Sequence, residues 1–358
     1  MTLLITGGTG LVGQILVHYL VEETTYAEKS HEIKLLFRNR DGNPHRLRFL
    51  RWCKKKGIDI VYGDLRNDKD VNHFTRVPDP HSSVLIHSGA IFNLWQPYKL
   101  LYDVNVNGTK RILRAFHRNT IKKLIYISSV AVYGTLTGTN GRGITEEHPL
   151  DFKMEKSYEL TKALGEKLVL DYQQNQPERM VTILRPSGIV GGSGTTLDVF
   201  SRMFFSRFVS LPRGGQDKIS LVDVKDVARA IHFFSDFDKG NGEAFNLVSF
   251  IPTLREVVEE LGWALQKEKV SVIPIPLFMF KPLYHLAKCI RKIKPAKEKS
   301  FLLPILFNKL GKDIWIDNRK SKSIGFHTKV DLHESMKKFG TFLEENPWYP
   351  QQKFGLAL

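Results

Sequence analysis

Residues 2–13 read Thr-Leu-Leu-Ile-Thr-Gly-Gly-Thr-Gly-Leu-Val-Gly, and the placement of their glycines decides how the chain folds. A short apolar run, Leu3 to Ile5, marks a buried strand, and Leu11, Ile15, Leu16, Tyr19 and Leu20 recur at helical spacing. Between them Gly7, Gly10 and Gly13 form Gly-x-x-Gly-x-x-Gly. Gly7 suits the tight turn, Gly10 lets the backbone approach a pyrophosphate, and Gly13 permits close packing of helix on strand. The phosphate then sits at the helix N-terminus, where free N–H groups and the helix dipole favour an anion. Strand, glycine turn and helix in succession separate a dinucleotide-binding loop from a plain glycine-rich turn. Thr6, Gly7, Thr9, Gly10, Leu11, Val12 and Gly13 are therefore candidate cofactor contacts.

Further strands recur at intervals. Ile33 to Phe37 is the second, ending in Arg38-Asn39-Arg40, with Asp41 the first acid beyond it. An acid at the strand end would bind the ribose 2′-hydroxyl of NAD, whereas an Arg accepts the 2′-phosphate of NADP. Arg38 points to NADP(H) ahead of NAD. The basic stretch 44–56 reads as a helical solvated face that also attracts phosphates. Ile58 to Tyr62 is the third strand, and Asp64 and Leu65 after it are placed at the adenine, Asp64 to accept from its amine. Val84 to Ile86 is the fourth; the small Ser88, Gly89 and Ala90 beyond it let the backbone lie against a ribose, and His87 reads as a satisfied structural histidine.

A helix is expected over 98–117, then a fifth strand from Leu124 to Ile127 ending in Ser128-Ser129. A Ser at the carboxyl end of a parallel strand lies where such sheets bind ligands. Tyr158 and Lys162 open a helix running to about Gln174 and, four residues apart, share a face of it. An adjacent ammonium is expected to pull the phenol below its usual value of about 10. Such a Tyr donates a proton to a carbonyl oxygen as hydride reaches the carbon, or runs the reverse reaction. Val181 to Leu184 is a sixth strand, followed by Pro186, Ser187, Gly188 and Ile189. This alternation predicts an α/β fold, a doubly wound parallel sheet.

Composition narrows the partners. The 358-residue chain carries a net charge of +16, which directs attention to anionic ligands or surfaces. Nucleic acid is not expected, because no recognition module is visible. Cys53 and Cys289 are too few for a disulfide framework or a metal cage. With no leader before the first strand and no apolar run near ~18 residues, a cytoplasmic protein is expected.

Taken together, Thr6–Gly13, Gly63–Leu65, His87–Ala90, Asn105–Thr109, Ser129–Gly134, Tyr158–Lys162, Arg185–Gly191 and Val222–Ala228 resemble the extended short-chain dehydrogenase/reductase family, in its order and over roughly residues 1–250. The resemblance implies a Rossmann-type sheet with a smaller C-terminal substrate lobe and a catalytic set of Ser129, Tyr158 and Lys162. It also implies that Asn105 helps hold a proton-relay water and that Tyr158 and Lys162 contact the cofactor. Ser128 competes with Ser129, and the Ser-x-x-x-Tyr-Gly spacing favours Ser129. Residues 89–109 are similar to thioester and fatty-acyl reductases, and 185–191 to the dihydroflavonol reductase and 3β-hydroxysteroid dehydrogenase branches. Nucleotide-sugar epimerases usually carry an Asn-Val-Tyr-Gly-type sequence after this strand, from which Ser187 to Gly191 departs. The resemblance also carries the expectation of a homodimer through the helices near 98–117 and 157–174.

The domain expectation is a dinucleotide-binding unit over 1–192, rejoined by 219–250, and a substrate lobe over 193–218 and 251–358. Within the lobe, Leu197 to Phe208 reads as helical, and Thr253 with Glu256 forms a capping box for a helix from Leu254. Residues 273–312 combine Ile-Pro-Ile-Pro-Leu-Phe-Met-Phe with a basic run. From Lys281 to Lys312 nine Lys or Arg stand against one acid, Glu298, an excess of +8 and half of the whole chain's. A lid over an apolar pocket is the leading reading, and a helix at a membrane interface the second. The expected activity is an NADP(H)-dependent oxidoreductase acting on a carbonyl, secondary alcohol or acyl thioester of a largely apolar small molecule, a coenzyme A or carrier thioester included. The alternative is a nucleotide-sugar epimerase or dehydratase with tightly bound NAD, whose diphosphate would need Arg202, Arg207 or Arg213.

Overall fold

A computed structural model describes residues 1–38, 44–92, 96–134, 143–192, 208–265, 271–276, 278–279, 282 and 315–345. Its centre is a parallel sheet built from β1 (Leu3–Thr6), β2 (Ile33–Phe37), β3 (Asp59–Tyr62), β4 (Val84–His87), β5 (Lys123–Ile127), β6 (Met180–Pro186) and β10 (Ala244–Leu247). The seven strands run in the order β10-β6-β5-β4-β1-β2-β3. Neighbours are in parallel register throughout, for example Thr6 beside both Leu36 and His87.

Side chains alternate between the two faces of this sheet, so apolar strands feed two cores. Leu3, Ile5, Val84, Ile86 and Ile125 point to one face, against α1 (Leu11–Glu23) and α2 (Pro44–Lys55). Leu4, Leu85, Leu124, Tyr126 and Ile183 point to the other. There they meet Phe74 of α3 (Asp68–Phe74), Phe116 of the helix 108–118 and Val169 of the helix that begins at Tyr158. Full burial of a Leu or Ile contributes roughly 1.5–3 kcal/mol, so these two layers dominate the stability of the first lobe.

The helix expected over 98–117 forms in three parts: α4 (Tyr98–Tyr102), a π-helical stretch Asp103–Asn107, and α5 (Gly108–Arg118). A π-stretch inserts an extra residue into the ladder and turns the side chains beyond it, and such bulges are frequent at functional sites. Gly165 of α6 (Tyr158–Asn175) faces this bulge: a Cβ there would lie 2.9 Å from Asn105 O and 2.7 Å from Tyr126 Oη. Only glycine lets the two helices close to this distance.

A separate core lies beyond the main sheet, and it takes in 188–190 and 221–223, which the sequence reading placed in the dinucleotide-binding unit. Val190 of β7 (Gly188–Val190), Val209 and Leu211 of β8 (Phe208–Pro212) and Leu221 of β9 (Leu221–Asp223) meet two helices there. After α7 (Val224–Phe234), which covers the main sheet, these are α8 (Leu254–Ala264) and, beyond α9 (Arg319–Ser323), α10 (Leu332–Glu345). Thr253 and Glu256 make the expected capping box at the start of α8. The helix expected from Leu197 lies outside the described residues except Phe208, which begins β8.

At the start of the 273–312 segment, β11 (Ser271–Ile275) pairs in parallel with β8, and most of the segment beyond Pro276 lies outside the described residues. Residues 315–330, read from sequence as substrate lobe, pack on the first lobe instead. Phe326 joins the core beside Phe233 and Phe234, and Asn318 Nδ2 donates to Val248 O at 2.8 Å. The backbone N–H groups of Lys329 and Val330 donate to the buried Asp226 carboxylate at 3.0 and 3.2 Å. Among the described residues no helix is long and apolar enough to cross a membrane.

Candidate active site

Strand order reverses between β1 and β4, and in open parallel sheets the crevice beyond such a switch point binds ligands. The loops after these strands touch. A Cβ on Gly7, which sits at φ +71°, would lie 2.7 Å from Gly89 Cα. A Cβ on Gly13 would lie 2.3 Å from Gly7 O and 2.6 Å from Gly8 Cα, so the helix can start this close to the strand only with glycine. Gly10 N donates to Gly7 O at 2.9 Å and closes the turn ahead of α1. The glycines thereby let the loop backbone close against the strand ends, while the Leu11 side chain reaches across to Gly192. On the far side, at the end of β6, the buried Ser187 hydroxyl has no hydrogen-bond partner among the described residues. A glycine turn that opens a helix N-terminus and an unpaired buried hydroxyl fit the pyrophosphate and nicotinamide ends of a dinucleotide.

Below the crevice a buried chain of side chains fixes the geometry. His87 bridges Thr6 Oγ1 at 2.7 Å and Thr109 Oγ1 at 3.1 Å. The Thr109 hydroxyl gives its proton to Asn105 O, so it accepts from His87 Nε2; Thr6 accepts from Gly89 N and therefore donates to Nδ1. These donors and acceptors assign the neutral Nε2–H tautomer. Burial, and the Lys162 charge beside it, hold His87 down at about 3. The histidine is structural, as expected, and it anchors Gly89 to the end of β1.

At the adenosine end Arg38 lies exposed at the end of β2, close enough to Asp64 to help hold that carboxyl below its usual range. Arg66 contributes most to that depression. Its Nε, NH2 and backbone N–H all donate to Asp64, at 3.0, 2.7 and 2.9 Å. The carboxylate expected to receive the adenine amine is thus engaged by its own loop, a pairing with the residue two positions on. Leu65 packs on Gly89, where a Cβ would lie 2.7 Å from its Cδ1.

The catalytic candidates converge from β5 and α6. Ser157 caps α6, so Tyr158 is its first helical residue and Lys162 lies one turn later; both are buried. Lys162 Nζ donates to Ile127 O at 2.7 Å and to Tyr126 Oη at 3.4 Å, which ties α6 to the end of β5. Ser129, two residues beyond Ile127, caps a 3-10 turn by accepting from Ala131 N at 3.1 Å, and its hydroxyl proton remains to donate. Ser128 is buried and gives its proton to Glu166, whereas that of Ser129 is not so engaged among the described residues.

The electrostatics correct one expectation. The sequence spacing has Lys162 holding Tyr158 acidic, but the phenol is raised well above its usual value, first by burial and then by the neighbouring Glu159 carboxylate. Lys162 is directed at β5, and burial lowers it to about 8 against the opposing pull of Glu166. Shared helix face does not outweigh the loss of water around a phenol. The Asn105 amide is engaged within the fold. Its Oδ1 accepts from Ile91 N at 2.8 Å, and its Nδ2 donates to Ile91 O at 3.3 Å and Thr161 Oγ1 at 3.0 Å.

A model of the NAD dependent epimerase/dehydratase family matches residues 3–247. The chain belongs to that family. It is accordingly an NAD(P)-dependent oxidoreductase of the extended short-chain dehydrogenase/reductase type. Among family relatives, it is 30% identical over 188 residues to an N-acetyl-alpha-D-glucosaminyl-diphospho-ditrans,octacis-undecaprenol 4-epimerase of Escherichia coli O157:H7, a match covering 51% of this chain and 55% of that one. It is 25% identical over 350 residues to a 2-alkyl-3-oxoalkanoate reductase of Stenotrophomonas maltophilia, covering 94% of this chain and 98% of the relative. The crystal structure of the terminal R domain from the myxalamid PKS-NRPS biosynthetic pathway shares the fold, with a TM-score of 0.71 at 21% identity over 96% of this chain and 91% of that one.

Sequence reasoning missed Glu166, Thr161 and Phe92. Glu166 comes after Lys162 at the i,i+4 spacing that already linked Tyr158 to Lys162, and that signal was available. Phe92 lies in the 89–109 stretch and Thr161 within Tyr158–Lys162, both singled out in the sequence, but the contacts they make across the fold carry no local signal.

Proposed function

We propose that the protein is an NADP(H)-dependent reductase of the carbonyl of a largely apolar small molecule, with the reverse oxidation of the secondary alcohol available to the same residues. The observation that carries this reading is a buried Tyr158 at the start of α6, one turn before a Lys162 fixed to the end of β5, the strand after which Ser129 keeps a hydroxyl proton to donate. Tyr158 is protonated near pH 7, but burial and Glu159 make it a weaker acid, so its proton transfer depends on a positive charge that favours the phenolate as it forms. Ser129 Oγ–H donates to the carbonyl oxygen and polarises it. Bound NADPH supplies the hydride. Tyr158 then gives its proton to the oxygen, and the Lys162 ammonium, one turn along the same helix face, balances the phenolate left behind.

Arg38 at the end of β2, with no acid before Asp41, supports NADP(H). Similarity to a 2-alkyl-3-oxoalkanoate reductase along nearly the whole of both chains supports an apolar oxo substrate. A carrier or coenzyme A thioester is the variant suited to the basic chain. The similarity to the undecaprenol-linked 4-epimerase spans about half of each chain, but a UDP-glucose 4-epimerase of Vibrio cholerae is 28% identical over 78% of this chain and 80% of its own, which supports the sugar-nucleotide alternative. Of the arginines that alternative needs, Arg213 is paired with Asp217 at 2.8 Å, and Arg202 and Arg207 lie outside the described residues.

The test is NADPH consumption with a panel of medium-chain ketones, β-oxo esters and acyl thioesters, for the wild type and Tyr158→Phe. Turnover of at least one panel member, lost at least a thousandfold in the variant while NADPH still binds, is expected. Conversion of a UDP-sugar with no NADPH consumption would replace the proposal with the epimerase.

A further inference from the structure

Phe92 lies just beyond the carboxyl end of β4, and 60% of its surface is open to solvent. Its ring centroid is 5.0 Å from that of Tyr158, with the planes at 82°, so it stands edge-to-face with the proton donor. With more than half of the side chain open, a broad apolar surface faces the space beside the phenol.

The mount of this ring is stiff. Both backbone polar groups of Ile91, the preceding residue, are held by the Asn105 amide. The same amide donates to Thr161 Oγ1, which in turn donates to Tyr158 O at 2.7 Å. Asn105 projects from the π-stretch and is buried, so the clamp lies out of reach of water. It joins the residue before Phe92 to the helix turn that begins with Tyr158. Burying an Asn with three hydrogen bonds in order to fix an exposed Phe has no evident use in packing. A rigid aromatic surface with a few fixed polar groups at its foot is how small-molecule sites recognise apolar ligands.

We propose that Phe92 is the specificity-determining wall of the substrate site, covering the apolar group that flanks the carbonyl, with Asn105 as the positioning residue that sets it against Tyr158. The proposal rests on the reductase reading. It assigns the substrate class more narrowly: one substituent of the carbonyl is an extended alkyl chain or an aromatic ring. Covering the open part of a Phe contributes about tenfold in affinity.

The experiment measures calorimetric dissociation constants of butanone, octan-2-one and 4-phenylbutan-2-one. The protein is saturated with the oxidised dinucleotide it binds best, so that no reduction occurs, and wild type, Phe92→Ala and Phe92→Leu are compared. Wild type is expected to bind the two larger ketones at least tenfold more tightly than butanone. Phe92→Ala should compress that ratio towards one without changing dinucleotide affinity, which also confirms that the variant is folded. Phe92→Leu should recover octan-2-one more than the phenyl ketone. An unchanged ratio in Phe92→Ala, or a wild type that does not distinguish the ketones, overturns the proposal. If the ratios behave as expected but no ketone consumes NADPH, the reductase reading fails and the wall stands.

Discussion

Replacing Glu166 should damage stability and catalysis together, because one buried carboxylate serves both. Glu166 is fully buried on α6 and accepts from Arg185 Nε at 2.9 Å, from Arg185 NH2, and from Ser128 Oγ. Arg185 is itself buried, and its only other described hydrogen bonds are NH1 to Tyr133 Oη at 2.7 Å and to Glu146 O at 3.0 Å. Removing one partner of a buried ion pair costs roughly 3–5 kcal/mol, since the remaining charge stays away from water. The two surviving bonds of NH1 place Glu166→Ala at the lower end, about 3 kcal/mol. The same carboxylate opposes the effect of burial on Lys162, which stands at about 8. Glu166→Gln keeps the shape, removes the charge, and should lower Lys162 further. Urea unfolding of Glu166→Ala and the pH–rate profile of Glu166→Gln are the assays. Rate should fall as pH rises through the Lys162 value, and in Glu166→Gln this alkaline limb should move to lower pH. A stability loss below about 1 kcal/mol would refute the buried-pair argument. An unmoved limb would refute the coupling to Lys162.

The same geometry sets further expectations. Gly13→Ala should lower dinucleotide affinity more than tenfold and stability by about 1–3 kcal/mol, because the new Cβ meets backbone at 2.3 and 2.6 Å. Gly8→Ala is the control, since its Cβ meets only the movable Leu35 side chain at 3.2 Å. Fluorescence titration and thermal melts of the two variants check the contrast. His87 sets an acid limit. Its folded value of about 3 lies below the unfolded value of about 6.5, so between these pH values only the unfolded chain binds the proton. Stability contributed by His87 is full above about pH 6.5 and falls by about 1.4 kcal/mol per unit as pH drops through that window. His87→Gln, which can still bond both threonines, should flatten that slope in denaturation series at pH 4–7. An unchanged slope would show that other groups govern acid unfolding.

Much of the first lobe was legible because its signals are local. The strand end, glycine loop and helix start fall within the twelve residues 2–13, and Tyr158 and Lys162 are one helical turn apart. The same locality misled on charge. Spacing placed Lys162 on the Tyr158 face but could not register that burial raises the phenol and that Ile127 O captures the ammonium. Asp64 looked available because its partner, Arg66, is fixed by the conformation of the loop. The return of 315–330 to the first lobe rests on Asp226 and on Phe326 contacts more than ninety positions away in sequence, beyond any periodicity. The π-stretch is likewise not legible locally: the poor helix formers of Asp103–Asn107 mark a weak point in the helix but not an extra residue in its ladder, and what accompanies it is the fit of Asn105 to Ile91 and Thr161.

The most direct measurement of the central claim is a fluorescence titration of the purified protein, stripped of and assayed for co-purifying nucleotide, with NADPH and separately with NADH. The account predicts a clear preference for NADPH that is lost in Arg38→Ala, with little nucleotide retained through purification. Tightly held NAD(H) with no response to NADPH would contradict it and make the epimerase the better reading of the same fold.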